Sequence, residues 1–339
     1  MRTLAPPPSS IIDPSTRAPR VGSYRGDLPR VDLAPVGKDG LFRLTHHKRW
    51  VYFAIQTEDL FIGAAMVNLG YVSSCFYFVY DQAERRMLLD RSLLGPAFLV
   101  RVNDLPGAGC EASAHHPLLR TRVAFARPAG GGEGHATIRS PALTLDAHLG
   151  TQGIPPGIGA VAAIGGPPAG LVNTTQKAAL FPVTGHIVID GRRRSLDGGF
   201  AGYDYTNGYL ARRTSWKWAF LLGRARSGEA VAMNLVEGFV GEAECALWID
   251  GALHPLAEGR FDFDAARPLM PWKVKTADGG ADLRFEPGGI HEEHQNFGVI
   301  ASRFVQPVGS FSGTIKIEGR GPLELDRVLG VVEDQAVLW

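Results

Sequence analysis

The sequence predicts an all-β protein built from closely spaced strands, and three observations support this class. Short apolar runs such as "RWVYFAIQ" and "VSSCFYFVY" alternate with turn signals such as "TED" and "DQAERR". The 42 glycines and 23 prolines are spread along the 339 residues, where they favour turns between short strands. Amphipathic helical patterns are few. Strands at this spacing are typical of β-barrels and β-sandwiches.

Composition and charge exclude several classes of protein. Hydrophobic residues make up 45% of the chain and charged residues 20%, the balance of a globular protein. The net charge of +1 gives no overall field that would attract nucleic acid or an anionic membrane. Three cysteines without a CxxC pair predict neither a disulfide framework nor a zinc knuckle. The N-terminus lacks the apolar segment of a secretory signal, and no unbroken apolar stretch could span a bilayer. We therefore expect a cytoplasmic protein that contacts membranes at most transiently.

An internal repeat organises the chain after a distinct beginning. Residues 1–30 are rich in proline and lack hydrophobic periodicity, which predicts an extended N-terminal segment. Four residues of the first half correspond to residues 166 positions later in the second, three of them identical: Trp50, Tyr52, Asn68 and Leu69 correspond to Trp216, Trp218, Asn234 and Leu235. Coincidence among common strand residues is one explanation, but a repeat of this length has the size of a domain. We predict two β-domains, over residues 31–183 and 184–339, whose tryptophan strands occupy equivalent positions.

The stretch "GYDYTNGYLARRTSWKWAF" contains the leading candidate site. Trp216, Trp218 and Phe220 recur with a period of two, so on a strand they point to one side and either fill a core or wall a pocket. A carboxylic acid buried among apolar groups keeps its proton near neutral pH, so Asp204 could protonate an alkene or enol ether. The tryptophan faces would stabilise the resulting cation. The alternative is that Asp204 caps a turn within "YDYTNG".

Several stretches carry resemblances to known families. The stretches "RWVYFAIQTEDLFIGAAMVNLGYVSSCFYFVYD", "DYTNGYLARRTSWKWAF" and "GVVEDQAVLW" resemble an uncharacterised bacterial family, domain of unknown function 2804. The chain also resembles the hydroxyneurosporene synthase (carotenoid hydratase) group and its lipocalin-like relatives, including tocopherol cyclases. Their Gly-Tyr-x-Asp-His-Asn-Trp-Gly motif and following Trp-x-Trp strand are matched, with one residue dropped before the aspartate, by Gly202, Tyr203, Asp204, Gly208, Trp216 and Trp218.

This second resemblance implies a fold and a substrate class, not a reaction. The implied fold is two tandem lipocalin-like β-barrels, antiparallel meanders with few short helices, and the implied substrates are long and apolar. The reaction is not carried over, because Tyr205, Thr206 and Asn207 stand where the group has His, Asn and Trp. The first half has Lys38 in the position equivalent to Asp204, so we expect one mostly apolar cavity with few charged groups, in the second half.

Other residues complete the candidate site. Tyr203 and Tyr205 flank the predicted catalytic Asp204, and we assign both to substrate binding together with Trp216 and Trp218. Two further residues are candidates for the pocket, Asn234 and Glu237. Asn234 interrupts the apolar strand "AVAMNLVEGF" and needs hydrogen-bond partners if it is buried. The corresponding residue in the first half, Asn68, is also asparagine, which favours a structural role. Glu237 and Glu244 are candidates for a second carboxylate, although their glycine neighbours favour exposed loops.

No cofactor or metal is predicted from the motifs. The "HEEH" stretch from His291 to His294 has two histidines but no companion ligands at zinc-site spacing. The sequence has no P-loop, dinucleotide fingerprint or nucleophile elbow in a usable context, which disfavours kinases, dehydrogenases and α/β-hydrolases.

The sequence therefore leaves three functional hypotheses. The leading one is a protein that binds an apolar isoprenoid- or lipid-like molecule and performs cofactor-independent acid chemistry on it, such as hydration, cyclisation or isomerisation of a C=C bond. The second is a non-catalytic carrier or sensor that uses the same pocket. The third is a carbohydrate-binding β-sandwich in which Trp216 and Trp218 are exposed platforms for sugars.

Overall fold

The computed structural model describes residues 2–164, 171–296, 298 and 300–339. Within these residues nearly all regular structure is antiparallel strand. The helices are one α-helix, α1 (Gly40–His46), and five short 3-10 turns: Ala34–Val36, Ala97–Leu99, Pro117–Leu119, Ala129–Gly131 and Gly241–Glu244. None of the helices in the described ranges is both long and apolar enough to cross a membrane.

The first sheet contains the first fourteen strands of the chain. They are β1 (Gly22–Arg25), β2 (His47–Gln56), β3 (Leu60–Asn68), β4 (Val72–Asp81), β5 (Arg86–Pro96), β6 (Val100–Val102), β7 (Cys110–His116), β8 (Thr121–Arg127), β9 (Gly134–Arg139), β10 (Leu143–Leu149), β11 (Ile158–Ile164), β12 (Leu171–Ile189), β13 (Arg192–Ser195) and β14 (Gly199–Tyr209). Their main order is β5-β4-β3-β2-β14-β12-β10-β9-β8-β7-β6, while β11 and β13 pair with β12, and β1 pairs with β11.

The second sheet contains the remaining nine strands. They are β15 (Arg213–Arg224), β16 (Ala230–Gly238), β17 (Ala246–Ile249), β18 (Ala252–Pro255), β19 (Gly259–Asp262), β20 (Trp272–Thr276), β21 (Ala281–Asn296), β22 (Ala301–Ile315) and β23 (Leu323–Leu338). Their order is β18-β17-β16-β15-β23-β22-β21-β20-β19. Each sheet curls into a half-barrel, so the prediction of an all-β fold of tandem lipocalin-like units is confirmed.

The two sheets repeat one strand order. In the first, β2 lies between the next strand, β3, and the last strand, β14; in the second, β15 lies between β16 and β23. The register is also repeated where the last strand returns. Trp50 is opposite Thr206 on β14, and Trp216 is opposite Gln335 on β23. The predicted equivalence of the two tryptophan strands is confirmed.

The repeat does not extend to the two asparagines. Asn68 pairs with Arg49 at the end of β3, whereas Asn234 pairs with Phe220 in the middle of β16. The turn after β2 covers residues 57–59, but the turn after β15 covers residues 225–229. The longer second turn shifts the following strand, so the constant spacing of 166 residues does not make these asparagines equivalent.

The chain passes from the first sheet to the second between Tyr209 and Arg213. The boundary predicted between residues 183 and 184 falls inside β12. The strand β14, which contains Asp204, returns to pair with β2 in the first sheet. The expectation that Asp204 belongs to the second half is therefore wrong, because the sheet is closed by a strand that follows the predicted boundary.

The N-terminal segment is extended and is fixed against both sheets. Ile11 and Ile12 are buried, and the strand β1 pairs with β11. The Ser23 hydroxyl donates a hydrogen bond to the carbonyl of Ala243, 2.7 Å away, and Arg25 donates to the carbonyl of Leu253 at 3.1 Å. Residues of the first thirty positions thus join the first sheet to the second.

Two hydrophobic cores share the strands at the centre of the molecule. Along β2, Val51 and Phe53 point into the core of the first sheet, while Tyr52 and Ala54 point into a core built mainly by the second. This alternation follows from the two-residue period of a strand. Burial of each large apolar side chain contributes about 1.5–3 kcal/mol, so one face of the first sheet is held firmly against the second.

Candidate functional site

A cavity of about 320 Å³ lies between the two sheets. Strands β2 to β4 and β14 form one wall, and β15, β22 and β23 form the other. The cavity is therefore shared by the two units, and the expectation that it lies within the second half is wrong. The expectation of few charged groups is also wrong, because among the described residues five charged side chains line it: Lys177, Asp204, Glu244, Glu293 and Glu333. It forms where the equivalent strands of the repeat face each other, a juxtaposition that neither half of the sequence specifies alone.

Aromatic side chains from both units form the apolar walls. The indole rings of Trp50 and Trp216 stack with their centroids 6.0 Å apart and their planes 13° apart. The rings of Tyr52 and Trp218 meet edge to face at 5.3 Å. Trp218 also stacks on Phe220 at 5.5 Å. Such pairs add about 0.5–1.5 kcal/mol beyond burial, so the walls are ordered and preformed.

Asp204 lies on the cavity side of β14, in the middle of the strand. The alternative that it caps a turn is wrong, since it pairs with Tyr52 on β2 and Lys177 on β12. Its carboxylate accepts a hydrogen bond from the ammonium group of Lys177. The indole N–H of Trp50 approaches the other carboxylate oxygen at 3.5 Å. Asp204 is thus half of an ion pair, an arrangement different from the apolar burial that we predicted.

Lys177 is buried, with two hydrogen-bond acceptors and a second carboxylate nearby. Besides Asp204, it donates to the hydroxyl of Thr175 at 2.7 Å and lies 3.1 Å from the carboxylate of Glu244. Burial would lower the pKa of Lys177, but the charges of Asp204 and Glu244 outweigh it and raise that pKa. Burial also raises the pKa of Glu244, and the Lys177 ammonium opposes the change.

Glu333 is one of the carboxyl groups of the second unit that line the cavity, with Glu244 and Glu293. It accepts hydrogen bonds from the indole N–H of Trp216 at 2.7 Å and from the amide of Gln306 at 2.8 Å. Burial raises the pKa of Glu333 to about 7, against the opposing effect of these two hydrogen bonds; the nearby charge of Asp204 raises it as well. A substantial fraction of Glu333 is therefore protonated at neutral pH.

Comparison with known proteins identifies the family but not a reaction. The family described as "Domain of unknown function (DUF2804)" matches residues 7–339. The chain belongs to this family. No curated protein matches the sequence of this DUF2804 protein.

Solved structures resemble the DUF2804 protein in fold. CghA, solved with Sch210972, is 12% identical, with a TM-score of 0.54 over 87% of this chain and 89% of its own. Kievitone hydratase from Nectria haematococca is 15% identical, with a TM-score of 0.47 over 100% and 98% of the respective chains. At such low identity, the likeness to CghA shows a common fold alone.

The two tyrosines assigned to substrate binding do not line the cavity of the DUF2804 protein. Tyr203 and Tyr205 are buried on the opposite face of β14, in the core of the first sheet. Their hydroxyls donate to the carbonyls of Pro106 and Asn103 at 2.8 and 2.9 Å. The strand alternates, so a cavity-facing Asp204 requires both neighbours to face away.

The other predicted site residues have three different placements. Trp216 and Trp218 line the cavity as predicted. Asn234 supports the wall from behind, because it accepts the indole N–H of Trp218 at 2.7 Å and donates to the carbonyl of Glu244 at 2.9 Å. Glu237 lies outside the cavity, where it pairs with Lys217 at 3.0 Å. These placements correct the pocket assignment of Asn234 and Glu237.

The histidines of "HEEH" lie on β21 and do not share a face. His291 is buried and hydrogen-bonds to Asp90 of the first sheet at 2.7 Å, while His294 is exposed. Burial opposes protonation of His291, but the hydrogen bond to Asp90 and the Glu293 carboxylate 3.6 Å away raise the pKa of His291 to about 9. It therefore serves as a charged link between the two sheets.

One described cluster has the donor types that a metal ion prefers. The ligand atoms of Glu133, His135 and His148 lie within 4.8 Å of one another. All three side chains are exposed, and His148 hydrogen-bonds to Glu133 at 2.8 Å. The cluster lies on the β9–β10 hairpin of the first sheet, and none of its residues lines the cavity.

Sequence reasoning missed Lys177 and Glu333 and gave Glu244 the wrong surroundings. Each of the two missed residues is a charge within an apolar strand, in "QKAALF" and "GVVEDQAVLW". A charged residue at a core position of a strand needs a partner, so this pattern was a usable signal. Glu244 is buried beside Lys177 rather than exposed in a loop.

Proposed function

We propose that the cavity binds an apolar small molecule with a C=C bond, isoprenoid- or lipid-like, and that Glu333 protonates this bond without a cofactor. The observation that carries the proposal is the setting of Glu333. It is a buried carboxyl group at the cavity wall with a pKa of about 7. A general acid is most effective when its pKa lies near the working pH.

The neighbours of Glu333 leave its proton available. The indole N–H of Trp216 is a donor only, and Gln306 directs its amide N–H groups at the carboxyl oxygen. Neither group accepts the carboxyl proton in this arrangement. Asp204 is a poorer candidate for the acid than we predicted, because its carboxylate is paired with the Lys177 ammonium.

The rest of the site suits the steps that follow protonation. In a hydration, the C=C electron pair takes the Glu333 proton to form a C–H bond, leaving a cation on the neighbouring carbon. Indole faces of Trp50, Trp216 and Trp218 stabilise a cation within about 6 Å. Water then bonds to the cation and gives a proton to the Asp204 carboxylate. Asp204 then releases this proton to solvent and Glu333 takes one up, so both groups return to their starting states and the net change is addition of one water.

Cyclisation and isomerisation begin with the same cation and differ from hydration in the step that consumes it. In the first case an internal C=C bond attacks the cation and closes a ring, and the new cation then loses a proton from an adjacent carbon to the Glu333 carboxylate. In the second case, the carboxylate of Glu333 removes a proton from an adjacent carbon. The apolar walls exclude bulk water from both outcomes.

Paired substitutions test the assignment of the acid. Purified protein is incubated with a panel of polyenes and prenylated phenols, and products are detected by mass spectrometry and chromatography. Glu333→Gln should retain binding but reduce turnover by about a hundred- to ten-thousand-fold. Glu324→Gln, on the same strand but exposed, should behave like the wild type. Asp204→Asn should impair hydration while leaving isomerisation intact.

Two results would contradict the proposal. Turnover that survives in Glu333→Gln but is lost in Asp204→Asn would return the acid role to Asp204. Binding of the panel without chemical change in the wild type would favour the carrier. The sugar-platform hypothesis has little support, because Trp218 is only 5% exposed and faces an internal cavity.

A further inference from the structure

The charged groups of the cavity are unequal in number. Among the described residues, four carboxyl groups line the cavity, those of Asp204, Glu244, Glu293 and Glu333, together with the ammonium of Lys177. Glu293 faces the buried His291 at 3.6 Å, so the other three carboxyl groups have Lys177 as their nearby cation. The polar end of the cavity therefore has more acidic groups than cations. A negatively charged group of a ligand would be repelled there, because the protein interior screens charge poorly.

Polar atoms in the cavity wall are also without partners. The hydroxyls of Tyr52 and Thr206 and the amide oxygen of Gln335 are buried and have no hydrogen-bond partner among the described residues. All three side chains line the cavity. Buried polar groups in proteins are normally hydrogen-bonded, so the wall is prepared for a ligand that carries polar groups of its own.

These polar groups form two layers. Tyr52 is opposite Asp204, and Glu333 is opposite Trp218, in equivalent positions of the two units. Thr206 and Gln335 lie two residues further along their strands. Same-face neighbours on a strand are separated by about 6.6 Å. A single hydroxyl therefore contacts one layer at a time, between apolar walls.

We propose that the ligand is an uncharged amphiphile whose head group is a hydroxyl or phenol, and that the site rejects carboxylates such as fatty acids. The inference rests on the proposed function and narrows its substrate class. A hydroxyl satisfies Tyr52 and donates to the surrounding carboxylates. An alkyl ammonium would also be attracted, but it would leave Glu333 ionised and so prevent acid chemistry.

Fluorescence titration tests the head-group preference directly. Four of the six tryptophans line the cavity, so ligand entry is reported by intrinsic emission. The probes are an alkan-1-ol, an alkanoate and an alkylamine of equal chain length, at a pH above that at which Glu333 ionises. We expect the alkanol to bind at least about tenfold tighter than the alkanoate. Lowering the pH until Glu333 is protonated should reduce the difference in affinity between the alkanol and the alkanoate.

Two variants locate the preference in the proposed groups. Glu333→Gln should reduce the discrimination against the alkanoate, and Glu324→Gln should leave it unchanged. Tyr52→Phe removes one oxygen and no ring carbon. It should weaken binding of the alkanol by roughly two- to tenfold and leave binding of the alkylamine unchanged. The pH series on the wild type needs no variant, so the test survives if a substitution prevents folding.

The outcomes separate this inference from the proposed function. An alkanoate that binds as tightly as the alkanol would overturn the head-group inference while leaving an apolar binding site in place. Binding of none of the three probes would contradict the apolar cavity on which the proposed function depends.

Discussion

Two of the carboxyl groups that line the cavity, those of Asp204 and Glu333, have equivalent places in the repeat but different chemical surroundings. Asp204 in the first unit is opposite Tyr52, and Glu333 in the second is opposite Trp218. Each is approached by the indole N–H of one of the two stacked tryptophans, Trp50 or Trp216. The repeat thus supplies one frame twice, with an acid in each copy.

The decisive difference is the side chain on the adjoining strand. Asp204 has the ammonium of Lys177 from β12, whereas Glu333 has the neutral amide of Gln306 from β22. A cation stabilises a carboxylate, but a neutral donor only partly offsets the loss of hydration. Because Lys177 is beside Asp204 and Gln306 is beside Glu333, the first acid is held in an ion pair and the second can keep its proton.

The largest effect is expected from removing the lysine. Lys177→Met leaves Asp204 and Glu244 buried without their shared cation, so we expect a loss of about 3–5 kcal/mol in the free energy of unfolding. Chemical denaturation at neutral pH measures the loss. Because protonation of the two orphaned carboxylates relieves the repulsion, the deficit should shrink as the pH is lowered.

A second buried lysine provides the matched control. Among the described residues, Lys48 has no carboxylate partner; it donates to the carbonyl of Leu69 at 2.8 Å and lies over the Tyr71 ring. Burial lowers the pKa of Lys48 to about 7. Lys48→Met should therefore have little effect or be stabilising at neutral pH. Equal losses in the two variants would show that Lys177 matters for packing rather than for its charge.

The pH dependence of stability is the next largest effect. The pKa of Glu333 is raised from 4.5 to about 7 on folding. Between these values the folded state holds a proton that the unfolded state has lost, so stability falls as the pH rises through this window. The difference corresponds to about 3 kcal/mol.

The contribution of Glu333 is isolated by difference. Glu333→Gln cannot ionise, so its stability relative to the wild type should improve steadily from about pH 4.5 to about pH 7. Thermal or urea unfolding over this range measures the difference. A difference that does not change with pH would mean that Glu333 is ionised in the folded protein throughout, which removes the basis for its role as an acid.

Exchanging the neighbour makes the second unit resemble the first. Gln306→Lys places an ammonium beside Glu333 and should lower the pKa of Glu333 by roughly one to three units, as expected for a carboxyl next to a cation. The pH range over which Glu333 lowers the stability, measured against Glu333→Gln, should then move to lower pH. Turnover at neutral pH should fall. Gln306→Met, of similar length and without charge, controls for the loss of the amide.

The sequence was informative where the relevant contacts are local. The period of two in the tryptophan strand placed Trp216 and Trp218 on one face, and the repeat placed Trp50 on an equivalent strand. The alternation of β14 could also have excluded Tyr203 and Tyr205, had Asp204 been assigned to a strand rather than to a possible turn.

The remainder of the site depends on long-range pairing. Trp216 meets Glu333 across 117 positions of sequence, and Asp204 meets Trp50 across 154. Both contacts form only when the last strand of each sheet returns beside the first. No local pattern specifies that return, nor which faces of the two sheets enclose the cavity.

The smallest expected effect compares the two indole N–H groups. Trp216 lies 2.7 Å from the Glu333 oxygen, and Trp50 lies 3.5 Å from the Asp204 oxygen. Substitution by phenylalanine keeps an aromatic ring in each position but removes the donor. A hydrogen bond of good geometry contributes about 0.5–1.5 kcal/mol, and the longer one should contribute less. Trp216→Phe should therefore destabilise the protein by about 1 kcal/mol more than Trp50→Phe, as measured by urea unfolding. The Trp216 variant should also raise the pKa of Glu333 further, because it removes a hydrogen bond that favours the carboxylate. Equal losses, with no change in the pH profile, would show that the stacking of the two rings outweighs their contacts with the acids.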